Sequence, residues 1–200
     1  MTDKFEDRLE GIPQWLNKVE RLVSDNVSKY NKFTIKFEKA TENKKNLDDI
    51  LKPFLVYLLE GTLKTFNHDT FKDVKDSIDH VIRLLKKENV TEEELKSAID
   101  NTTGVAKAAF VAYWSSDVAD TGAAWAAVLS GRAANCAAAS TANCAAAVCA
   151  AAAQAVVWAD AADVVDAADV VDVVWAAGAA HADFYDGLAE KLLELIKGVK

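Results

Sequence analysis

Through the first hundred residues apolar side chains return every three or four positions, the spacing that gathers them on one face of a 3.6-residue helix. Ile12, Trp15, Leu16, Val19, Leu22, Val23, Val27 and Tyr30 predict an amphipathic helix over 13–30, opened by Pro13 near its first turn, where a missing N–H is tolerated. Residues 32–39, Lys-Phe-Thr-Ile-Lys-Phe-Glu-Lys, alternate like a strand, yet no second strand exists to pair with them. Phe33, Phe37 and Ala40 also share a helical face, so the expectation is a helix continuing from the first. Residues 42–45 make a polar loop. Asn46 can then cap a helix bearing Leu47, Ile50, Leu51, Phe54, Leu55, Leu58, Leu59, Leu63 and Phe66. Its apolar residues cover more than a stripe, which puts it at the centre of the first-half core, and Pro53 either kinks it or marks a late start. Thr70 is expected to cap the next helix, with Phe71, Val74, Ile78, Ile82 and Leu85 inward and His80 facing water. Thr91 followed by Glu94 is a capping box, and from Leu95 the helical spacing runs unbroken to Trp114.

Over 105–182 the pattern changes. Ala-Ala and Val-Val doublets are punctuated every third residue, most plainly by Asp160, Asp163, Asp166, Asp169, Asp172, Trp175, Gly178 and His181. Three residues turn a helix by about 300°, so the punctuating side chain slips back about 60° per step and circles the axis. A heptad would hold one seam against one long partner, whereas a triplet asks for different neighbours at different heights. Almost every other position is Ala, Val, Cys, Ser or Gly, small enough to let helix axes approach to the low end of the usual ~8–10 Å. Phe110, Tyr113, Trp114, Trp125, Trp158 and Trp175 are then read as fillers of the gaps that alanine leaves, with a binding platform as the alternative for the last three. Breaks are expected at 115–117 and 130–131, with a third near 158–160. A conventional amphipathic helix closes the chain, with Phe184, Leu188, Leu192, Leu195 and Ile196 on one side and Glu190, Lys191, Glu194 and Lys197 on the other. The expected fold class is all-α, a compact helical bundle with a tightly packed Ala-rich core. Residues 1–90 are the amphipathic amino-terminal region and 91–200 the Ala-rich bundle, packed as one unit.

Composition sharpens the boundary, since 33 alanines fall between 105 and 182 against two in residues 1–104. Charge divides the same way. Of the formal net charge of -8, residues 105–200 carry -6, and between 108 and 190 the only basic residue is Arg132. Such a surface repels nucleic acid and anionic lipid and attracts basic partners. The opening Met-Thr-Asp-Lys-Phe-Glu-Asp has no apolar signal core, which argues for a cytoplasmic protein. Residues 133–159 are uncharged and long enough to span a bilayer, but Asn135, Ser140, Thr141, Asn143 and Gln154 and the absence of Leu, Ile and Phe favour a helix buried in a bundle.

Few residues are arranged for chemistry. Cys136, Cys144 and Cys149 sit among alanines as small apolar fillers, and His68, His80 and His181 offer no zinc spacing with them. The glycines are isolated, so no phosphate-cradling loop exists, and His181 reads as a partly exposed helical histidine unless Asp183 or Asp186 pairs with it. No catalytic residue, metal or cofactor is expected. The sharpest local feature is the carboxylate series Asp160, Asp163, Asp166, Asp169 and Asp172. Aspartate is roughly 0.6 kcal/mol worse than alanine at a helix interior site, so the segment is either held by tertiary contacts or selected for charge. It is a solvated spiral that keeps a sticky helix soluble, or a face that recognises a basic partner; Asp pairs three apart could share a divalent ion, but the Glu-x-x-His pattern of bundle metal sites is missing.

The run from Thr91 to Glu94 and Leu95, the x-Ala-Ala tract after it, and the closing Lys191-Leu192-Leu193-Glu194-Leu195-Ile196 together resemble the Ala-rich triplet-repeat proteins of bacteria and phages, some of them described as immunity proteins. The resemblance covers roughly 70–200, while the Cys-Ala-Ala-Ala repeats, the Val-Val doublets and the added amino-terminal helices depart from it. It implies a role in binding and neutralising another molecule. The expected function is therefore a non-enzymatic protein-binding module, an immunity or anti-defence inhibitor whose acidic helical surface blocks a basic site on a nuclease, toxin or defence factor. Direct contact with nucleic acid or membrane is not expected. The alternative is a structural protein that assembles as a homo-oligomer.

Overall fold

The computed structural model describes residues 11–27, 30–66, 68–115, 121–139, 148, 150–157 and 170–199. Among them all regular structure is helical, and the helices pack on one another as an all-α bundle.

Helix α1 (Gln14–Asn26) opens after Pro13, whose carbonyl accepts the Leu16 and Asn17 amides at 3.0 and 3.1 Å. It stops short of residue 30. Val27 turns extended (φ -75°, ψ 147°), and the Asn26 side-chain amide folds back to donate to the Leu22 carbonyl at 2.7 Å. Consequently α2 (Tyr30–Thr41) is a separate helix, not a continuation of α1. Its helical reading holds because Phe33 and Phe37, one turn apart, are both buried with ring centroids 5.9 Å apart.

Asn43 and Asn46 both take φ of 59°, the left-handed region that asparagine tolerates better than most residues. Asn46 makes no side-chain cap; its carbonyl instead accepts the Asp49 amide at 3.0 Å and starts a 3-10 turn, Leu47–Ile50. Helix α3 (Leu51–Thr62) follows, so Pro53 marks a late start and stands in the first turn, where its missing donor is harmless. Leu63 and Phe66 lie beyond the helix end in the following turns. Helix α4 (Lys72–Leu85) is capped by Phe71 rather than Thr70, with no side-chain capping bond. The Phe71 ring packs edge-on against Phe66 at 6.3 Å, so an aromatic contact anchors this entrance. His80 is half-buried rather than out in water.

Helix α5 (Glu92–Ser115) carries the chain without interruption from the amphipathic half into the Ala-rich half, as the spacing predicts. Its capping box closes both ways: the Thr91 amide donates to Glu94 Oε2 at 3.0 Å, and the Glu94 amide donates to Thr91 Oγ1 at 3.2 Å. The break expected at 130–131 does not occur. Helix α6 (Thr121–Ala139) runs straight through Ser130 and Gly131. A Cβ added at Gly131 would lie 3.3 Å from the Ala106 Cβ, so this glycine sits where α5 comes closest. Ser130 turns its hydroxyl back onto the Ala126 carbonyl at 2.8 Å, satisfying itself inside the helix. Contact between helices outweighs the local preference of Ser-Gly for a turn. A further helical stretch, α7, covers 150–157, and α8 (Val170–Gly198) closes the fold. The break expected near 158–160 lies outside the described residues.

Among the described residues helices α5 and α6 share the most extensive contact, and α4 lies against both. The other side of the bundle is built by α1, α2 and α3 around α8. One continuous core joins them, from Trp15, Phe54 and Leu192 to Ala98, Ala134 and Ala138. Trp15, Phe37, Phe54, Leu16, Leu58, Ile78, Leu188 and Ile196 are fully buried, each contributing about 1.5–3 kcal/mol of apolar transfer. Phe184 and Leu195 are only half-buried at the edge of α8's inner face. Among the described residues no helix is long and apolar enough to cross a membrane.

Candidate functional site

The carboxylate series meets the described structure at one point. Asp160, Asp163, Asp166 and Asp169 lie outside the described residues, while Asp172 is the third residue of α8. Cys144 and Cys149 fall outside as well, as do the side chains of Phe110, Tyr113, Trp114, Trp125, Trp158 and Trp175. Cys136 packs half-buried against the core, in keeping with a small apolar filler. His181 is half-buried, its ring 4.9 Å from that of Tyr185. Among the described residues no group of His, Cys, Asp or Glu converges as a metal site would require.

Several polar groups inside the bundle are tied to backbone and to one another, whereas Asn17 Oδ1 and Ser77 Oγ are buried without a hydrogen-bond partner. The Asn135 side-chain amide donates across the α5–α6 contact to the Ile99 carbonyl (3.0 Å), Thr102 Oγ1 (3.0 Å) and Thr103 Oγ1 (2.8 Å). Thr65 and Ser130 meet at 3.3 Å and join the turn after α3 to α6. Between α1 and α2, Ser24 donates to the buried Glu20 carboxylate at 2.6 Å and also touches Thr34 Oγ1 at 3.3 Å. Burial pushes the Glu20 carboxyl above its usual range, against the lowering effect of the Ser24 hydrogen bond, while Asp25 and Glu38 raise it further. Such groups fix helix register.

A charged concave surface lies between α2 and the end of α8. This groove, about 750 Å³, is lined by Lys36, Lys39, Lys44 and Lys197, by Glu190 and Glu194, and by the apolar Ala40 and Leu193. Glu194 is partly neutralised by Lys191, whose ammonium lies 2.9 and 3.0 Å from its two oxygens. Lys44 donates to the carbonyl of Val199 and so ties the loop after α2 to the end of α8. Among the described residues Lys36, Lys39 and Lys197 enter no ion pair. Beside them Ile35, 65% exposed, is one of two large apolar residues left open to solvent among the described residues. Lys32, Ile35, Lys36 and Lys39 fall at the i, i+3, i+4, i+7 spacing of one helical face.

That face was present in the sequence. With 32–39 read as a helix, the residues opposite Phe33 and Phe37 are these three lysines and Ile35, and the groove they border needed the tertiary structure to appear. The class of protein defined so far is an all-α bundle with Asp172, the last aspartate of the acidic series, in the first turn of its last helix and a lysine-lined groove at that helix's end. Comparison of the chain with protein-family models, curated proteins and solved structures gives no match.

Proposed function

We propose that this protein is a non-enzymatic, cytoplasmic binding module that docks the acidic tract Asp160, Asp163, Asp166, Asp169 and Asp172 into a basic site on a target protein, in the manner of an immunity or anti-defence inhibitor. A nuclease, toxin or defence factor that normally grips DNA phosphates has such a site, and a row of carboxylates can stand in for the phosphate backbone. The supporting observation is the anchoring of α8. Its far half is locked in the core by Leu188, Leu192 and Ile196, and Asp172 belongs to its first turn. A tract joined to a helix already fixed in the fold loses less freedom on binding than a loose acidic tail.

The test is capture on the immobilised chain at rising salt, beside the triple variant Asp163→Asn, Asp166→Asn, Asp169→Asn. A specific partner should be held at low ionic strength, released as salt rises, and lost in the variant while far-ultraviolet circular dichroism stays unchanged. A partner retained undiminished at high salt would sink the reading.

A further inference from the structure

We infer that the groove between α2 and the end of α8 is a docking site for an acidic amphipathic helix of another protein. This surface is separate from the acidic tract, so the inference does not depend on the proposed target binding. The groove has two helical walls. Lys36, Lys39 and Ala40 line it from α2 at i, i+3, i+4, and Glu190, Leu193, Glu194 and Lys197 line it from α8 at i, i+3, i+4, i+7. Ala40 and Leu193 supply apolar surface between the charges. A channel between two helices accepts a rod of matching periodicity, which a third helix has and a flat bilayer lacks.

Charge selects the chemistry of that rod. Lys36, Lys39 and Lys197 are exposed, and among the described residues they enter no ion pair. Lys44 gives one of its ammonium donors to the Val199 carbonyl and keeps the others. Of the two acids in the wall, Glu194 is already held by Lys191, while Glu190 is exposed and forms no ion pair among the described residues. These lysines, set against one uncommitted carboxylate, call for a partner whose carboxylates recur at i, i+4, i+7 and whose charge is relieved opposite Glu190. A phosphate chain has no such break in sign, so Glu190 counts against nucleic acid as the occupant. Along α2 the face continues to Lys32 and to Ile35, 65% exposed, which offers the partner an apolar anchor at the rim. Asp172, the described member of this chain's own acidic series, is 25 residues from Lys197 on one helix, about 38 Å at ~1.5 Å per residue, and does not reach the groove.

Fluorescence anisotropy tests this with the full chain and a labelled synthetic helical peptide carrying Glu at i, i+4 and i+7 and Leu at i+3. The peptide should bind at about 20 mM salt and bind about tenfold more weakly at about 0.5 M. A scrambled peptide of the same composition should bind about tenfold more weakly than the ordered one at low salt. Lys36→Glu with Lys39→Glu should abolish binding. The milder Lys36→Ser with Lys39→Ser should weaken it about tenfold with far-ultraviolet circular dichroism unchanged. Glu190→Gln should tighten the all-acidic peptide severalfold, a gain that mere disruption of the fold would not produce. The Asp163→Asn, Asp166→Asn, Asp169→Asn variant should bind the peptide as wild type does; much tighter binding would show that the chain's own tract occupies the groove, and would overturn the inference. So would a wild-type chain that ignores the peptide, equal binding of the scrambled peptide, lysine variants that still bind, or stronger binding to phosphatidylglycerol vesicles or duplex DNA than to the peptide. Because the aspartate variant is expected to keep the peptide and lose the target, failure here and failure of the inhibitor reading are separate results.

Discussion

Phe54 and Leu192 fill the space between helices, while Ala106 and Gly131 remove it. On the side built by α1, α2, α3 and α8 the interior is made of large side chains, with Trp15 and Phe54 rings 6.1 Å apart and Leu188, Leu192 and Ile196 stacked along one face of α8. On α5 and α6 the buried residues are mostly small: Ala98, Thr102 and Ala109 on the first, and Ala126, Ala127, Ser130, Ala133, Ala134, Ala137 and Ala138 beside Val128 and Leu129 on the second. Large side chains bury much area each and fit only one set of neighbours. An alanine surface buries little per residue and looks alike at successive turns, so it needs something else to set the sliding position of one helix on the other. Asn135, reaching Ile99, Thr102 and Thr103, supplies that fixed point, while Ser130, reaching Thr65, ties α6 to the turn after α3.

Substitutions can separate these two modes. Phe54→Ala should have the largest effect, about 3–5 kcal/mol of unfolding free energy, because it opens a cavity beside Trp15. Chemical denaturation measures it, and a loss under 1 kcal/mol would mean that this side is loosely packed. Gly131→Val should cost about 1–3 kcal/mol by forcing α5 and α6 apart at Ala106. Its control is Gly104→Ala, where an added Cβ meets nothing within 4 Å and helix propensity alone should stabilise by about 0.5–1 kcal/mol. Equal effects at the two glycines would contradict close approach as the cause.

Removal of the register clamp by Asn135→Ala should cost about 1 kcal/mol, since Thr102 and Thr103 keep their bonds to the Ala98 and Ile99 carbonyls. The expected sign of register loss is faster amide exchange across α5 and α6 with little change around α1. Smallest is the capping box at the junction of the two regions, where Thr91→Ala should cost about 1 kcal/mol or less. Here Lys87 at 2.6 Å, together with the Thr91 amide, holds the Glu94 carboxyl at about 2, down from the ordinary 4.5. A depressed carboxylate stabilises the fold when ionised, so its contribution is complete above pH 4.5 and fades as pH falls towards 2. Glu94→Gln should remove that part of the acid slope in unfolding free energy and leave the rest of the profile unchanged.

The capping box and the helix through Trp114 were legible because each rests on neighbours within a turn or two, where spacing and caps speak directly. The same holds for the apolar face of α4, whereas at Pro53 a kink and a late start both stayed open until the structure placed it in the first turn of α3. What misled was also local. Val27 ended α1 inside an unbroken apolar rhythm, and Ser130-Gly131, a turn signal in isolation, became the place where two helices touch. The acidic tract was visible as composition, its aspartates read from spacing alone. The groove was not, because α2 and α8 contribute lysines that stand far apart in the chain.

The sequence by itself determined that the chain is helical, where α1 and α5 begin, and that acid gathers in the Ala-rich part, because all three depend on residue type and short-range periodicity. Only the tertiary structure decided that Gly131 joins rather than breaks, that α1 and α2 are separate, and that lysines from both ends of the chain form one groove. Each of those depends on which surfaces meet, as with Lys44 and Val199, which are 155 residues apart and share a hydrogen bond. A local pattern carries the preference of a segment; the energy of a contact belongs to two segments at once, and it is large enough to overrule a preference of about 1 kcal/mol.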